Sequence, residues 1–146
     1  MSVFDPDEFL QATIEGSNST SRPPIPEHEA MGVIEKISIR TPNQSTILDV
    51  FWGVDSDEAR NATGLDSPSV RQSIFLDIDG NGHLDMSEGM NVQLGRLRKA
   101  VGQNAEGPWS FNNLVGATAR IAITQRPDQN DPQTIYNDVK SVTKAA

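Results

Sequence analysis

Apolar and polar residues alternate with a period of two in five separate segments of the chain. Successive side chains of a β-strand point to opposite faces of its sheet, so this alternation predicts five strands with one buried face each. Ile34 falls out of step within the first of them, which predicts a β-bulge near Glu35. The predicted strands are Ala30–Thr41, Thr46–Val54, Val70–Ile78, Ala117–Arg126 and Thr134–Thr143.

A helical period interrupts this pattern between the third and fourth predicted strands. Leu94, Leu97 and Val101 recur at helical spacing and predict a helix over Val92–Val101, which Asn91 caps and Gly102 ends. Few small architectures place one helix between the third and fourth of five strands, and the oligonucleotide/oligosaccharide-binding (OB) barrel is the best known of them. The pattern therefore predicts a mainly β protein folded as a five-stranded, OB-like barrel.

The N-terminal part of the chain has a different character. Asp5 and Pro6 are typical of the start of a helix, and they predict a short helix over Asp7–Thr13. The stretch from Gly16 to Pro26, GSNSTSRPPIP, has turn and polyproline chemistry and no periodicity. We therefore expect residues 1–25 to form a helix and a flexible connector, and residues 26–146 to form the barrel domain.

The charge of the chain is unevenly distributed. Its net charge is -8, yet residues 1–88 carry 5 Lys/Arg and 16 Asp/Glu, whereas residues 89–146 carry 7 Lys/Arg and 4 Asp/Glu. An asymmetry of this kind predicts a basic binding surface on an otherwise acidic body, although it is also compatible with scattered surface charge. The sequence has no cysteine, so disulfides and thiolate metal sites are excluded.

The outward positions of the predicted strands combine cations with flat rings. Single-stranded nucleic acid needs cations for its phosphates and flat side chains for its bases. The pattern thus predicts a single-stranded DNA-binding surface, unless Phe51 and Phe75 instead pack under the N-terminal segment. The candidate residues are Lys36, Arg40, Phe51, Arg71, Phe75, Arg120, Arg126, Tyr136 and Lys140.

The segment Asp77–Glu88, DIDGNGHLDMSE, has residues typical of the calcium loop of an EF-hand at nearly every ligand position. The candidate ligands of this alternative calcium site are Asp77, Asp79, Asn81, Asp85 and Glu88. Its flanks are not those of an EF-hand, because a predicted strand precedes the loop and Gly89 follows the last acid. We therefore favour a strand-to-turn segment with solvated acids, and we predict no metal or other cofactor.

Three stretches of the sequence resemble small proteins of tailed bacteriophages, several of which are single-stranded DNA-binding proteins of the OB type. They are LDMSEGMNVQLGRLRKAVGQN (Leu84–Asn104), PWSFNNLVGATARIAI (Pro108–Ile123) and IYNDVKSV (Ile135–Val142). The resemblance covers roughly residues 26–143, and its motifs are mainly structural. It implies a role in phage DNA replication or recombination. It also implies single-stranded DNA and phage replication proteins as partners.

No catalytic signature occurs in the sequence, which contains no phosphate loop, nucleophile elbow, HExxH motif or dinucleotide fingerprint. We therefore predict a non-catalytic protein. The N-terminus lacks the features of a signal peptide and no apolar run is long enough to cross a bilayer, so we expect a soluble protein of the host cytoplasm. Its oligomeric state is left open, with a homo-oligomer as one alternative. Two alternatives stay open: a phage structural or assembly protein that uses the barrel for protein contacts, and a calcium-binding module.

Overall fold

The computed structural model describes residues 3–145, which form three α-helices and five β-strands. The helices are α1 (Pro6–Gln11), α2 (Asp57–Thr63) and α3 (Val92–Ala100). The strands are β1 (His28–Arg40), β2 (Thr46–Asp55), β3 (Ser69–Leu76), β4 (Thr118–Pro127) and β5 (Ile135–Thr143). Single 3₁₀ turns at Pro42–Gln44 and Phe111–Leu114 precede β2 and β4.

All five strands belong to one antiparallel sheet with the order β3-β2-β1-β4-β5. The predicted mainly β class, the five strands and the helix between the third and fourth of them are confirmed. Each strand begins and ends within two residues of its predicted bounds, because the period of two is unbroken over most of its length.

The two edges of the sheet lie close together without forming a ladder. β3 and β5 approach each other along part of their length, and α3 contacts both. Within residues 3–145 no strand pairing joins these two edges, so the sheet is not closed by hydrogen bonds. The structure therefore contains an open five-stranded sheet, and the predicted closure into a barrel is not observed.

The inner face of the sheet forms the apolar core together with α3. Trp52 on β2 is fully buried, and its indole nitrogen donates to Oε1 of Gln72 at 3.0 Å. Gly32 on β1 makes room for this ring, since a Cβ at that position would lie 2.8 Å from Cε3 of Trp52. Leu94 and Leu97 bury the inner stripe of α3 against the same core, as their spacing predicts.

Two β-bulges interrupt the sheet, one on the central strand β1 and one on the edge strand β5. The first lies between Ile34 and Lys36 on β1, which confirms the bulge predicted near Glu35. The second separates the pairs Ala122–Ser141 and Ile123–Val139, so that Lys140 on β5 has no partner on β4. A bulge of this kind changes the direction in which the side chain of the extra residue points.

The helices differ from prediction at their ends. α1 ends at Gln11, two residues earlier than predicted, and none of its residues is buried. Asn91 adopts a left-handed conformation before α3 and does not cap it with its side chain. Instead its side-chain amide donates to the carbonyl oxygens of Asp77 and Asp85, at 3.0 and 2.9 Å. Gly102, with φ of 75°, follows the end of α3 as predicted.

None of the helices in residues 3–145 has the length and apolar character that crossing a membrane would require.

Candidate nucleic-acid interface

A polar groove of 610 Å³ runs between β3 and β5, the two edges of the sheet. We call it the edge groove. It receives residues from β3, β5, the ends of β1 and β4, and the first turn of α3. They are Arg40, Arg71, Gln72, Ser73, Gln93, Arg126, Tyr136, Asn137, Asp138, Val139 and Lys140. Five of these were predicted from the sequence as nucleic-acid contacts: Arg40, Arg71, Arg126, Tyr136 and Lys140.

Two further predicted residues lie beside the edge groove on the outer face of the sheet. Lys36 pairs with Phe51 across β1 and β2, and Phe51 pairs with Arg71 across β2 and β3. The three side chains therefore form one row that leads into the groove. Phe51 is half-buried, and the Lys36 ammonium lies 4.5 Å from the centre of its ring.

Arg40 is held in place by a buried carboxylate. Its Nε donates to Oδ2 of Asp49 at 2.7 Å, and the Ser73 hydroxyl donates to Oδ1 of the same residue at 2.8 Å. Burial raises the pKa of Asp49, but the hydrogen bonds from Arg40 and Ser73 outweigh that effect, and the pKa lies below its usual value. The Asp49 carboxylate thus stays ionised and orients the Arg40 guanidinium, while the Arg40 side chain remains 43% exposed.

Arg126 and Tyr136 form the opposite wall and belong to one hydrogen-bonded cluster. The Arg126 guanidinium lies 5.2 Å from the centre of the Tyr136 ring, and its Nε donates to Oδ2 of Asp138 at 2.9 Å. The Tyr136 hydroxyl donates to Oδ2 of Asp128 at 2.9 Å, and this bond raises the pKa of the tyrosine. Tyr136 is 43% exposed, so part of it is accessible to a ligand.

The lining of the edge groove is strongly cationic. It contains four cations and one carboxylate, that of Asp138. Within residues 3–145, Arg71 and Lys140 make no ion pair. Arg40 is paired with Asp49, and Arg126 is paired with Asp138. The second bulge places Lys140 in the groove, because it has no partner on β4. The groove can therefore attract a polyanion.

Two predicted residues do not line the edge groove. Arg120 pairs with Met31 and Thr143, six residues from Arg126 along β4, which corresponds to about 20 Å. Phe75 is 61% exposed on the outer face of β3, opposite Ile47 and four residues beyond Arg71. The structure therefore does not bring Arg120 into the candidate site, and Phe75 lies next to it along the strand.

Several groove residues were not among the sequence-based candidates. Gln72, Ser73, Gln93, Asn137 and Asp138 are uncharged or acidic, and none of them fits a search for cations and rings. Asn137 is half-buried on β5, and its amide binds both the N–H and the C=O of Ile25. The sequence signal for four of these residues was their position next to a candidate, since Gln72 and Ser73 follow Arg71 on β3 and Asn137 and Asp138 follow Tyr136 on β5. Gln93 lies on α3 and had no such signal.

No family model matches the sequence, and no curated protein matches it significantly.

The acidic loop between β3 and α3 uses its carboxylates within the loop. Asp79 Oδ1 accepts from the amides of Asn81 and His83, at 2.9 and 3.0 Å. Asp77 Oδ2 accepts from the Asn91 amide at 2.9 Å, and Asp85 Oδ1 accepts from Ser87 at the same distance. Across residues 3–145, no three carboxylate or imidazole side chains are grouped so that they could hold a metal ion. The loop follows strand β3, as the period of two predicted.

Proposed function

We propose that this protein binds single-stranded DNA without catalysis, and that the edge groove is the binding site. The observation that supports this most directly is the meeting of Arg40, Arg71, Arg126, Tyr136 and Lys140 in one groove, although they come from four different strands. Cations and an exposed ring in one channel are what a flexible, stacked polyanion requires.

The cations of the groove account for affinity. Each phosphate that is neutralised releases counterions, so the logarithm of the binding constant falls with the logarithm of the salt concentration, by about 0.7 per contact for single strands. Four contacts give a slope of about -3. This term carries no information on base sequence, so binding is largely independent of sequence.

The rings account for the preference for single strands. Tyr136 lies in the groove, and Phe51 and Phe75 lie on the adjoining outer face of the sheet. A base that stacks on such a ring contributes about 1–3 kcal/mol, but only an unpaired base can do so. Because Lys36 covers Phe51, the two exposed rings Tyr136 and Phe75 are the main stacking candidates.

We further propose that the sheet is a partly open OB-like barrel. The strand order, the approach of β3 to β5 and the contacts of α3 with both edges support this assignment. In such barrels the binding face is bordered by the loops between the first two and the last two strands. Arg40 lies before the first of these loops here, and Arg126 and Tyr136 flank the second.

The phage role is a proposal that the sequence resemblance supports. A protein that coats single strands during genome synthesis or recombination works in the host cytoplasm beside replication proteins, and those are its proposed partners. The net charge of -8 keeps the rest of the surface repulsive toward DNA, which confines binding to the groove.

Fluorescence anisotropy with a labelled oligothymidine tests this function. We expect micromolar binding at low salt, a log–log salt slope of about -3 and much weaker binding to a duplex of equal length. Absence of binding at low salt, or equal affinity for the duplex, would refute the proposal.

A further inference from the structure

The N-terminal arm, defined as residues 3–15, exposes apolar side chains that the rest of the chain does not cover. Phe4 and Phe9 are 67% and 65% exposed, and their rings lie against each other with centres 5.1 Å apart. Val3, Leu10 and Ile14 are more exposed still. A cluster of apolar side chains of this kind marks a segment that binds a surface.

The charge of the arm is opposite to that of the edge groove. The arm carries Asp5, Asp7, Glu8 and Glu15 and contains no lysine or arginine. The groove offers four cations, of which Arg71 and Lys140 are free of ion pairs within residues 3–145. Carboxylates set beside flat rings reproduce the two features by which single-stranded DNA would bind there, since a guanidinium attracts both carboxylates and ring faces.

The arm is tethered at one end of the same groove. Ile25 is buried, its N–H donates to Oδ1 of Asn137 at 2.9 Å, and its carbonyl accepts from Nδ2 of that residue at 2.9 Å. Asn137 also lines the edge groove. Residues 22–25 line a pocket together with Ser69 and Ile135, the first residues of β3 and β5. The chain therefore enters the domain at one end of the edge groove, where β3 and β5 begin.

The connector is long enough to bring the arm into the groove. Residues 16–24 span at most about 30 Å when extended, and the groove starts at the tether itself. A short flexible tether gives an effective concentration in the millimolar range, so even a weak contact would be populated. In this structure the arm lies off the groove, whose lining includes no arm residue.

We propose that the N-terminal arm docks into the edge groove of its own chain and competes with the nucleic acid for it. The competition depends on the proposed function, whereas the docking does not. Asp5, Asp7 and Glu8 meet the groove cations, and Phe4 and Phe9 stack on the guanidinium groups. The arm thus restricts the groove to ligands that bind more strongly than a weak internal competitor.

Paramagnetic relaxation in the full-length chain tests the docking. The sequence has no cysteine, so Gln11→Cys gives a single attachment site for a nitroxide. We expect the amide signals of Arg71, Tyr136 and Lys140 to lose most of their intensity, and those near Arg120 to keep theirs. The triple change Asp5→Asn, Asp7→Asn, Glu8→Gln should restore the groove signals. Unchanged groove signals in the labelled chain would overturn the proposal.

A mixture separates docking within one chain from docking between chains. Isotope-labelled chain without the nitroxide is mixed with unlabelled chain that carries it. We expect no broadening of the groove signals in this mixture. Broadening equal to that seen when the observed chain itself carries the nitroxide would refute the internal contact.

Oligothymidine binding then tests the competition. The triple variant should bind about tenfold more tightly than the natural chain at low salt, because the competitor is weakened. Equal affinities, with docking observed, would overturn the competition and leave the proposed function intact. If neither chain binds oligothymidine, the proposed function and the competition fail together, while the nitroxide experiment still decides the docking.

Discussion

Arg126 and Tyr136 face each other across β4 and β5, with the guanidinium 5.2 Å from the centre of the ring. The pair joins a cation and a stacking surface at one wall of the edge groove. If the proposed function is correct, a nucleotide that enters there places its phosphate on Arg126 and its base on the exposed part of Tyr136.

Removing the ring of Tyr136 should weaken binding while removing only its hydroxyl should not. We expect Tyr136→Leu to lower the affinity for oligothymidine by about 5- to 150-fold, which corresponds to the loss of one stacked base at about 1–3 kcal/mol. Tyr136→Phe keeps the ring and loses the hydrogen bond to Asp128, so its affinity should stay within about twofold of the natural value. Anisotropy titrations measure both, and equal losses in the two variants would argue against stacking.

The salt dependence of oligothymidine binding should depend on the cations of the edge groove and not on cations elsewhere on the surface. We expect the double variant Arg71→Gln, Lys140→Gln to reduce the magnitude of the log–log salt slope by about 1.4. Arg120→Gln removes one positive charge from a position about 20 Å along β4 from Arg126 and serves as the control for charge lost outside the groove, with an unchanged slope. A slope whose magnitude falls by about 0.7 in the Arg120 variant would mean that binding follows net charge alone.

The pattern of the sequence predicted the sheet but only part of the site. The strand bounds and the bulge at Glu35 follow from a period of two and from its single interruption at Ile34, which are local properties. The approach of β3 to β5 is not local, so the apolar pattern of the separate strands does not show which of the candidate residues line one groove. The bulge that frees Lys140 has no signature in the apolar pattern of β5. Arg120 and Arg126 lie an even number of residues apart, so the period of two predicts that both point outward. That period cannot tell which end of the strand lies at the groove.

Asp49 should make the stability of the protein depend on pH in the acid range. Its pKa is lowered in the folded chain, so its ionised form stabilises the fold above the unfolded pKa of about 3.9, and this contribution is lost as the pH falls through the folded value. We expect Asp49→Asn to be less stable by about 1–2 kcal/mol at neutral pH. Urea unfolding should show this gap closing as the pH falls below about 4. A gap that stays constant down to the acid limit would contradict the assignment.

Calcium should leave the stability of the chain unchanged. The carboxylates of Asp77, Asp79 and Asp85 accept hydrogen bonds from backbone amides within the loop or at its end, and they do not converge on a common point. Thermal unfolding in millimolar calcium and in chelator should therefore give the same Tm. A rise in Tm with calcium that Asp79→Asn abolishes would support the alternative calcium site, and an equal rise in both chains would indicate a nonspecific effect.

Backbone amide chemical shifts measured during a titration with oligothymidine test the binding site most directly. The edge groove predicts that the signals of Arg71, Ser73, Tyr136 and Lys140 move together and saturate, while those of Met31, Arg120 and Thr143 stay in place. Shifts centred on Arg120, or no shifts at low salt, would contradict the assignment of the groove as a single-stranded DNA site.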